Sequence, residues 1–347
     1  MVRRRAFHTA RARPDIGARH ASLGRAERCV AGLPGAGVAL FMLLALSFSV
    51  GQARAEVRVG RARVAVPVAD LRKEPTPPAP TLEQDPLQES QLLYGDPVTV
   101  LEVREDWAWV SADEQQEWSH NRRWEGYPGW IQLSDLVGEP LGWSPNLVVI
   151  SKLAKVRSGP ALDAPVKMIL SLGTRLVGTE TPEGWKLKIL DETSGWILRE
   201  EGANALEGAA PIREKIVQMA RLFLGDPYYW GGRSAHHPEA PGPVHTAVDC
   251  SGLVGLLHQA AGVAIPRDAH EQWMKARPIP RESLQSGDLI FLSDPDNVHR
   301  ITHVMLYVGE GKVIEGPGTG KRVREIGMEE RLKEASDRRV HYGSYLQ

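Results

Sequence analysis

DCSGLVGLLHQAAG, residues 249–262, is the stretch on which the reading of this chain turns. Apolar residues follow Cys250 at helical spacing: Leu253, Val254, Leu256, Leu257, Ala260 and Ala261. Gly262 stands where a C-terminal cap belongs. The spacing predicts a helix that buries one face and opens on a cysteine. Free N–H groups and partial positive charge at a helix start lower a thiol pKa, and the thiolate is the nucleophile. The simpler alternative is a small buried core residue, the usual state of a lone cysteine.

The chain of 347 residues has room for two or three domains. Its 42% hydrophobic and 24% charged content is ordinary for soluble globular protein. A net charge of −1 gives no reason to expect a nucleic-acid partner. Residues 1–37 are rich in Arg, and an apolar run follows at residues 38–50, VALFMLLALSFSV. That run is short for a bilayer span and leads to Ala53-Arg54-Ala55, a small-x-small cleavage pattern. Residues 1–55 therefore read as a signal peptide with a long n-region, and the mature chain as exported, periplasmic or extracellular. The alternative is an uncleaved anchor, the one route to a membrane here. Of the two cysteines, Cys29 would leave with the signal. Cys250 would remain as a single thiol in a compartment that permits disulfides, which favours a chemical role.

Residues 57–205 read as a diverged tandem repeat. Leu71-Arg72, Pro75, Gly95, Trp107 and Gly129-Trp130-Ile131 are echoed by Val156-Arg157, Pro160, Gly173, Trp185 and Gly195-Trp196-Ile197. Short β-type runs with Gly and Pro punctuation predict two small β-barrels, over residues 57–140 and 141–205. They resemble the bacterial SH3-like domains of cell-wall proteins. Trp107, Trp130, Trp185 and Trp196 are expected to fill the two cores. Trp118 and Trp124 lie in a polar insertion, EQQEWSHNRRWEGYPGW, and are expected to wall a ligand groove instead.

Beyond a short linker, residues 211–347 run from helices into strands, DLIFL at 288–292, HVMLYV at 303–308 and KVIE at 312–315, the order of an α+β domain. A thiol nucleophile needs a base, and the base needs an orienting partner. His303 opens a strand, and the turn at Gly309-Glu310-Gly311 leads to the next. A three-residue loop there would pair Val308 with Lys312 and set Met305 opposite Glu315. His303 would then lie diagonal to Glu315 on the same face, within reach of long side chains. A two-residue turn would break that parity. Taken singly, His303 reads equally well as a strand-edge surface residue and Glu315 as a solvated carboxylate.

Tyr228 within PYYWGG, Asp249-Cys250-Ser251-Gly252-Leu253, Gly287-Asp288-Leu289, His303 with Tyr307 and Gly309, and Glu315-Gly316-Pro317 together resemble the NlpC family of papain-like cysteine peptidases. The resemblance implies a catalytic set of Cys250, His303 and Glu315, with Glu315 where the family more often has His. It implies that Tyr228 assists at the oxyanion and that no cofactor or metal is needed. Two SH3-like domains followed by Pro266-Arg267-Asp268-Ala269 narrow it to the γ-D-glutamyl-L-diamino acid endopeptidases. Their partners are peptidoglycan stem peptides, cut between D-Glu and diaminopimelate when the N-terminal L-Ala is free. By the same resemblance Asp249, Ser251 and Asp268 hold the peptide, and Glu89 and Tyr127 are the candidates for the L-Ala ammonium. Each also has a local role open to it. Asp249 can cap its helix, Ser251 can be a first-turn residue, and Asp268 with Glu271 fits a capping box. An insertion at residues 234–248 carries His236, His237 and His245, whose spacing matches no common zinc pattern. A non-catalytic wall-binding protein, or a thiol amidase or transpeptidase acting on another cell-wall amide, would share many of these residues.

Overall fold

The computed structural model describes residues 57–79, 84–204, 211–239 and 245–347. The expected signal peptide, with Cys29, lies outside the described residues, as does part of the His-rich insertion.

Two β domains come first. Strands β1 (Gly60–Val64), β2 (Val68–Arg72), β3 (Gln88–Leu93), β4 (Pro97–Arg104), β5 (Trp107–Glu117), β6 (Glu125–Gln132) and β7 (Leu136–Gly138) form one sheet in the order β3-β2-β6-β5-β4-β1-β7. Strands β8 (Leu147–Val149), β9 (Leu153–Arg157), β10 (Val166–Ser171), β11 (Arg175–Thr181), β12 (Gly184–Lys188), β13 (Ser194–Ile197) and β14 (Gly202–Asn204) form a second, in the order β10-β9-β13-β12-β11-β8-β14. Each strand of the second sheet takes the place of the strand seven earlier, so the tandem repeat is a repeat of topology.

The echoed Gly-Trp-Ile triplet has a packing reason. A Cβ on Gly129 would stand 2.6 Å from Leu71 Cγ, and one on Gly195 would stand 2.5 Å from Val156 Cγ1. The strand can cross its neighbour that closely only where there is no side chain. Ile131 and Ile197 then point into the cores. Because faces alternate along a strand, Trp130 and Trp196 point the other way. Of the four tryptophans expected in the cores, Trp185 is there. Trp130 is buried beneath the Arg104 guanidinium and against Trp109, while Trp107 and Trp196 are half-buried.

The third domain packs four helices against an antiparallel sheet. The helices are α1 (Ile212–Arg221), α2 (Cys250–Ala260), α3 (Ala269–Lys275) and α4 (Met328–Glu334). The strands are β15 (Arg277–Pro278), β16 (Leu289–Ser293), β17 (Ile301–Gly309), β18 (Lys312–Glu315), β19 (Arg324–Gly327) and β20 (Val340–Ser344), ordered β15-β20-β16-β17-β18-β19. Helix α2 is buried nearly all round, not on one face as its spacing predicts. Leu253 and Leu257 pack with Leu289, Phe291, Val304 and Leu306 of the sheet. Leu256 packs toward the second β domain, where its Cδ1 would lie 2.7 Å from a Cβ on Gly173. Leu93 and Leu172 of the β domains join the same core. Truncating a leucine here to alanine would cost about 2–5 kcal/mol, so the helix that carries Cys250 is held by all three domains at once.

Candidate active site

Cys250 is the first residue of α2, and Asp249 caps the helix by accepting a 2.6 Å bond from Gly252 N–H. Its sulfur receives backbone hydrogen bonds from Val304 and Ser251, which favour the thiolate as a helix start should. Burial works the other way and dominates. Together with the nearby Asp249 carboxylate it pushes the Cys250 thiol up to about 12. The depressed pKa expected from the helix end is therefore overturned in the resting site. The thiol is protonated, and its proton must be taken by a base.

The base position is filled from the facing sheet. His303 Nε2 lies 2.6 Å from Glu315 Oε2, which leaves Nδ1 for the cavity that His303 shares with Cys250 and Tyr228. The register that achieves this differs from the expected one at the turn. Glu310 and Gly311, with φ of 52° and 68°, form a two-residue turn, and Gly309 pairs with Lys312. A bulge at Val308 then adds one residue back. Leu306 consequently pairs with Ile314, the register a three-residue loop would have set, and Glu315 meets His303.

Glu315 is fully buried and heavily held. Arg324 Nε and Nη2 reach Oε1 at 2.9 and 2.8 Å, and Arg331 Nε lies 2.9 Å from both oxygens. Burial alone would raise this carboxyl. The His303 and Arg331 contacts outweigh it and hold Glu315 at about 2. It is ionised at any working pH.

Tyr228 is buried beside the cysteine. Burial, then the charges of Cys250 and Asp249, push its phenol far above the usual range, so it is a neutral O–H donor.

Asp249 and Ser251 form a closed network with Arg267. Asp249 accepts from Gly231 N–H, Gly252 N–H, Ser251 Oγ and both Nη atoms of Arg267. Arg267 also donates to Ser251 Oγ at 3.0 Å and to Ser90 Oγ of the first β domain at 2.7 Å. Both oxygens of Asp249 are thus engaged inside the protein.

Asp268 behaves differently. It stands at the N-cap of α3 but makes no capping hydrogen bond, and Glu271 turns to Ser119 of the first domain, so the expected capping box does not form. The Asp268 carboxylate instead accepts from the Tyr127 hydroxyl, 3.1 Å away, and that hydroxyl lies 3.1 Å from Glu89 Oε2 as well. Glu89, Tyr127 and Asp268 therefore converge across the domain boundary. Burial pushes Asp268 up to about 7, with Arg267 opposing and Glu271 and Asp249 adding to the rise.

Comparison of the sequence with known proteins places two of the domains in families. Residues 225–341 match the NlpC/P60 family model, and residues 83–136 match that of the bacterial dipeptidyl-peptidase Sh3 domain. The chain carries an NlpC/P60 domain behind bacterial SH3 domains. NlpC/P60 proteins are cysteine peptidases. The chain is similar to the γ-D-glutamyl-L-lysine dipeptidyl-peptidase of Bacillus subtilis, at 28% identity over 72% of this chain and 79% of that one. It is similar to the enzyme of the same name from Bacillus cereus, at 26% identity over 69% and 70%. Among solved structures, an NlpC/P60 family protein from Bacillus cereus superimposes with a TM-score of 0.70 at 24% identity, covering 83% of this chain and all of the other. That likeness is one of fold.

Within the NlpC/P60 domain, sequence reasoning missed Arg267 as the hub, although it stands beside Asp268. It also missed Arg324 and Arg331. Arg324 pairs directly with Glu315 across β18 and β19, but the Gly-rich loop between them leaves that register unreadable in advance. Arg331 arrives from α4 with no sequence signal. Two of the insertion's histidines turn to backbone carbonyls: His236 Nδ1 to Thr246 O at 2.8 Å, and His245 Nε2 to Ala79 O of the first β domain at 3.0 Å. Among the described residues no cluster of His, Cys, Asp and Glu is arranged to hold a metal. Trp118 and Trp124 pack on each other at 5.8 Å, and the Lys275 ammonium of α3 sits 3.9 Å above Trp124. The polar insertion thus also fastens the first domain to the peptidase domain.

Proposed function

We propose that this protein is an exported cysteine peptidase that hydrolyses the γ-D-Glu–diaminopimelate bond of peptidoglycan stem peptides whose N-terminal L-Ala is free. Glu315 keeps the His303 imidazole oriented through Nε2. Nδ1 takes the Cys250 proton as sulfur attacks the carbonyl carbon. Tyr228 and backbone N–H groups at the start of α2 donate to the oxyanion. His303 then protonates the departing nitrogen, and the C–N bond breaks to leave a thioester. Water, deprotonated by the same imidazole, attacks that thioester and restores the thiol.

The observation that carries the substrate reading is the convergence of Glu89, Tyr127 and Asp268. Two carboxylates around one hydroxyl suit an ammonium, and an acylated nitrogen would leave them unsatisfied. The names of the two Bacillus relatives point to the same bond type. The test is to incubate the enzyme with L-Ala-γ-D-Glu-diaminopimelate and with its N-acetyl form, and to identify products by mass spectrometry. Release of diaminopimelate from the free-amine peptide alone is expected. Equal cleavage of both removes the free-amine rule, and full activity in Cys250→Ala removes the thiol mechanism.

A further inference from the structure

A polar cavity of about 550 Å³ opens at Cys250, and none of Glu89, Tyr127 and Asp268 lines it. Tyr228, Cys250 and His303 form one end of it. The rest carries four cations, Lys321, Arg324, Arg331 and Arg338, against one carboxylate, Glu334. Two of those cations are spoken for. Arg324 pairs with Glu315 and Glu334, and Arg331 with Glu315. Lys321 and Arg338 meet no carboxylate among the described residues. The Lys321 backbone and the Arg338 side chain are each tied to the site. The backbone carbonyl of Lys321 accepts from Tyr228 N–H at 3.0 Å, and Arg338 Nη1 donates to Thr302 Oγ1, next to His303, at 3.2 Å.

Position decides what this charge meets. His303 hands its proton to the leaving nitrogen, so the leaving group sits on the side of the thiol where His303 lies. We propose that this cavity is the leaving-group pocket, and that Lys321 and Arg338 are specificity-determining residues that bind a carboxylate on the amino acid released. The inference rests on the peptidase reading above and deepens it. A substrate with an ammonium at one end and a carboxylate at the other would then span the thiol between groups of opposite sign. Two sources supply that carboxylate: the α-carboxylate of a C-terminal residue, or a second carboxylate on its side chain.

Three peptides separate the sources: L-Ala-γ-D-Glu followed by diaminopimelate, by lysine, or by lysine amide. Wild-type kcat/KM is expected to be at least about tenfold higher for a peptide with the recognised carboxylate, as for loss of a charge-assisted bond. Diaminopimelate above lysine identifies the side-chain group, and lysine above its amide identifies the α-carboxylate. In Lys321→Gln/Arg338→Gln, checked for an unchanged melting temperature, the ratios should collapse. Equal wild-type rates on all three, or ratios that survive in the double variant, overturn the proposal. Calorimetric titration of free diaminopimelate and of lysine amide reads the pocket without turnover. If no peptide is cut the peptidase reading falls, but tighter binding of diaminopimelate, lost in the double variant, still upholds the pocket. Equal binding, or none, overturns it.

Discussion

Arg331 Nε lies 2.9 Å from each oxygen of Glu315, so one guanidinium nitrogen grips the carboxylate that orients His303. Glu315 has no exposed side-chain surface and Arg331 has 12%. A charge pair that deep is fixed in place, and removing one partner strands the other. Glu315→Gln should therefore lower kcat roughly 10²–10⁴-fold, because the imidazole loses its orienting charge. Arg331→Gln leaves Glu315 and His303 in contact and should cost far less in kcat. Steady-state kinetics on the two variants checks this, and comparable losses would assign Arg331 a direct part.

Acid stability follows from the same carboxylate. Glu315 is held at about 2 in the folded protein against 4.5 for an ordinary glutamate. A depressed folded pKa contributes stability that is complete above the unfolded value and is lost as pH falls toward the folded one. The contribution is about 3 kcal/mol at neutral pH. The stability gap between wild type and Glu315→Gln should narrow by about 2 kcal/mol between pH 7 and pH 3. Denaturant unfolding at both pH values measures it, and a constant gap would show that Glu315 is not held low.

The meeting of His303 with Glu315, and Cys250 at a helix start, were legible because each residue carries its own local signal. Cys250 follows a capping Asp at the start of an apolar helix, and His303 and Glu315 stand in adjacent strands joined by a short turn. The register survived an incorrect turn length because the bulge at Val308 cancels the missing loop residue. Contributions from distant chain segments were not legible. Nothing in the spacing of Glu89, Tyr127 and Asp268 says that one hydroxyl touches both acids. Nor does a helix start reveal how completely three domains will bury its thiol, which is what raises Cys250.

That burial predicts slow alkylation. With the thiol pushed up to about 12, the rate of Cys250 modification by iodoacetamide should climb with pH through pH 9. Peptide mapping separates Cys250 from Cys29. A rate already at plateau below pH 6 would mean a preformed thiolate–imidazolium pair in the free enzyme.

Arg267 joins the nucleophile's cap to the first β domain, through Asp249 on one side and Ser90 on the other. Arg267→Met leaves the buried Asp249 carboxylate unpaired and should cost about 3–5 kcal/mol. Lys in its place keeps a charge but not the fork, so Arg267→Lys should fall between Met and wild type. Adding Asp249→Asn to Arg267→Met should recover part of the loss. Urea unfolding of these four proteins and of Asp249→Asn alone tests the order, and a fully additive double variant would show that the pair is not coupled.

Asp268 gives substrate binding its own pH dependence. Its carboxyl is pushed up to about 7, chiefly by burial, so it carries its full charge only above neutral pH. An ammonium seated between Glu89 and Asp268 would favour the ionised form and pull that pKa down in the complex. The free enzyme should therefore titrate near pH 7 while the complex does not. As pH falls from 8 to 6, KM for a free-amine peptide should rise several-fold with little change in kcat from this group. In Asp268→Asn the KM should be higher and flat over that range. If the wild-type KM is flat too, or if the N-acetyl peptide shows the same rise, Asp268 is not reading the amine.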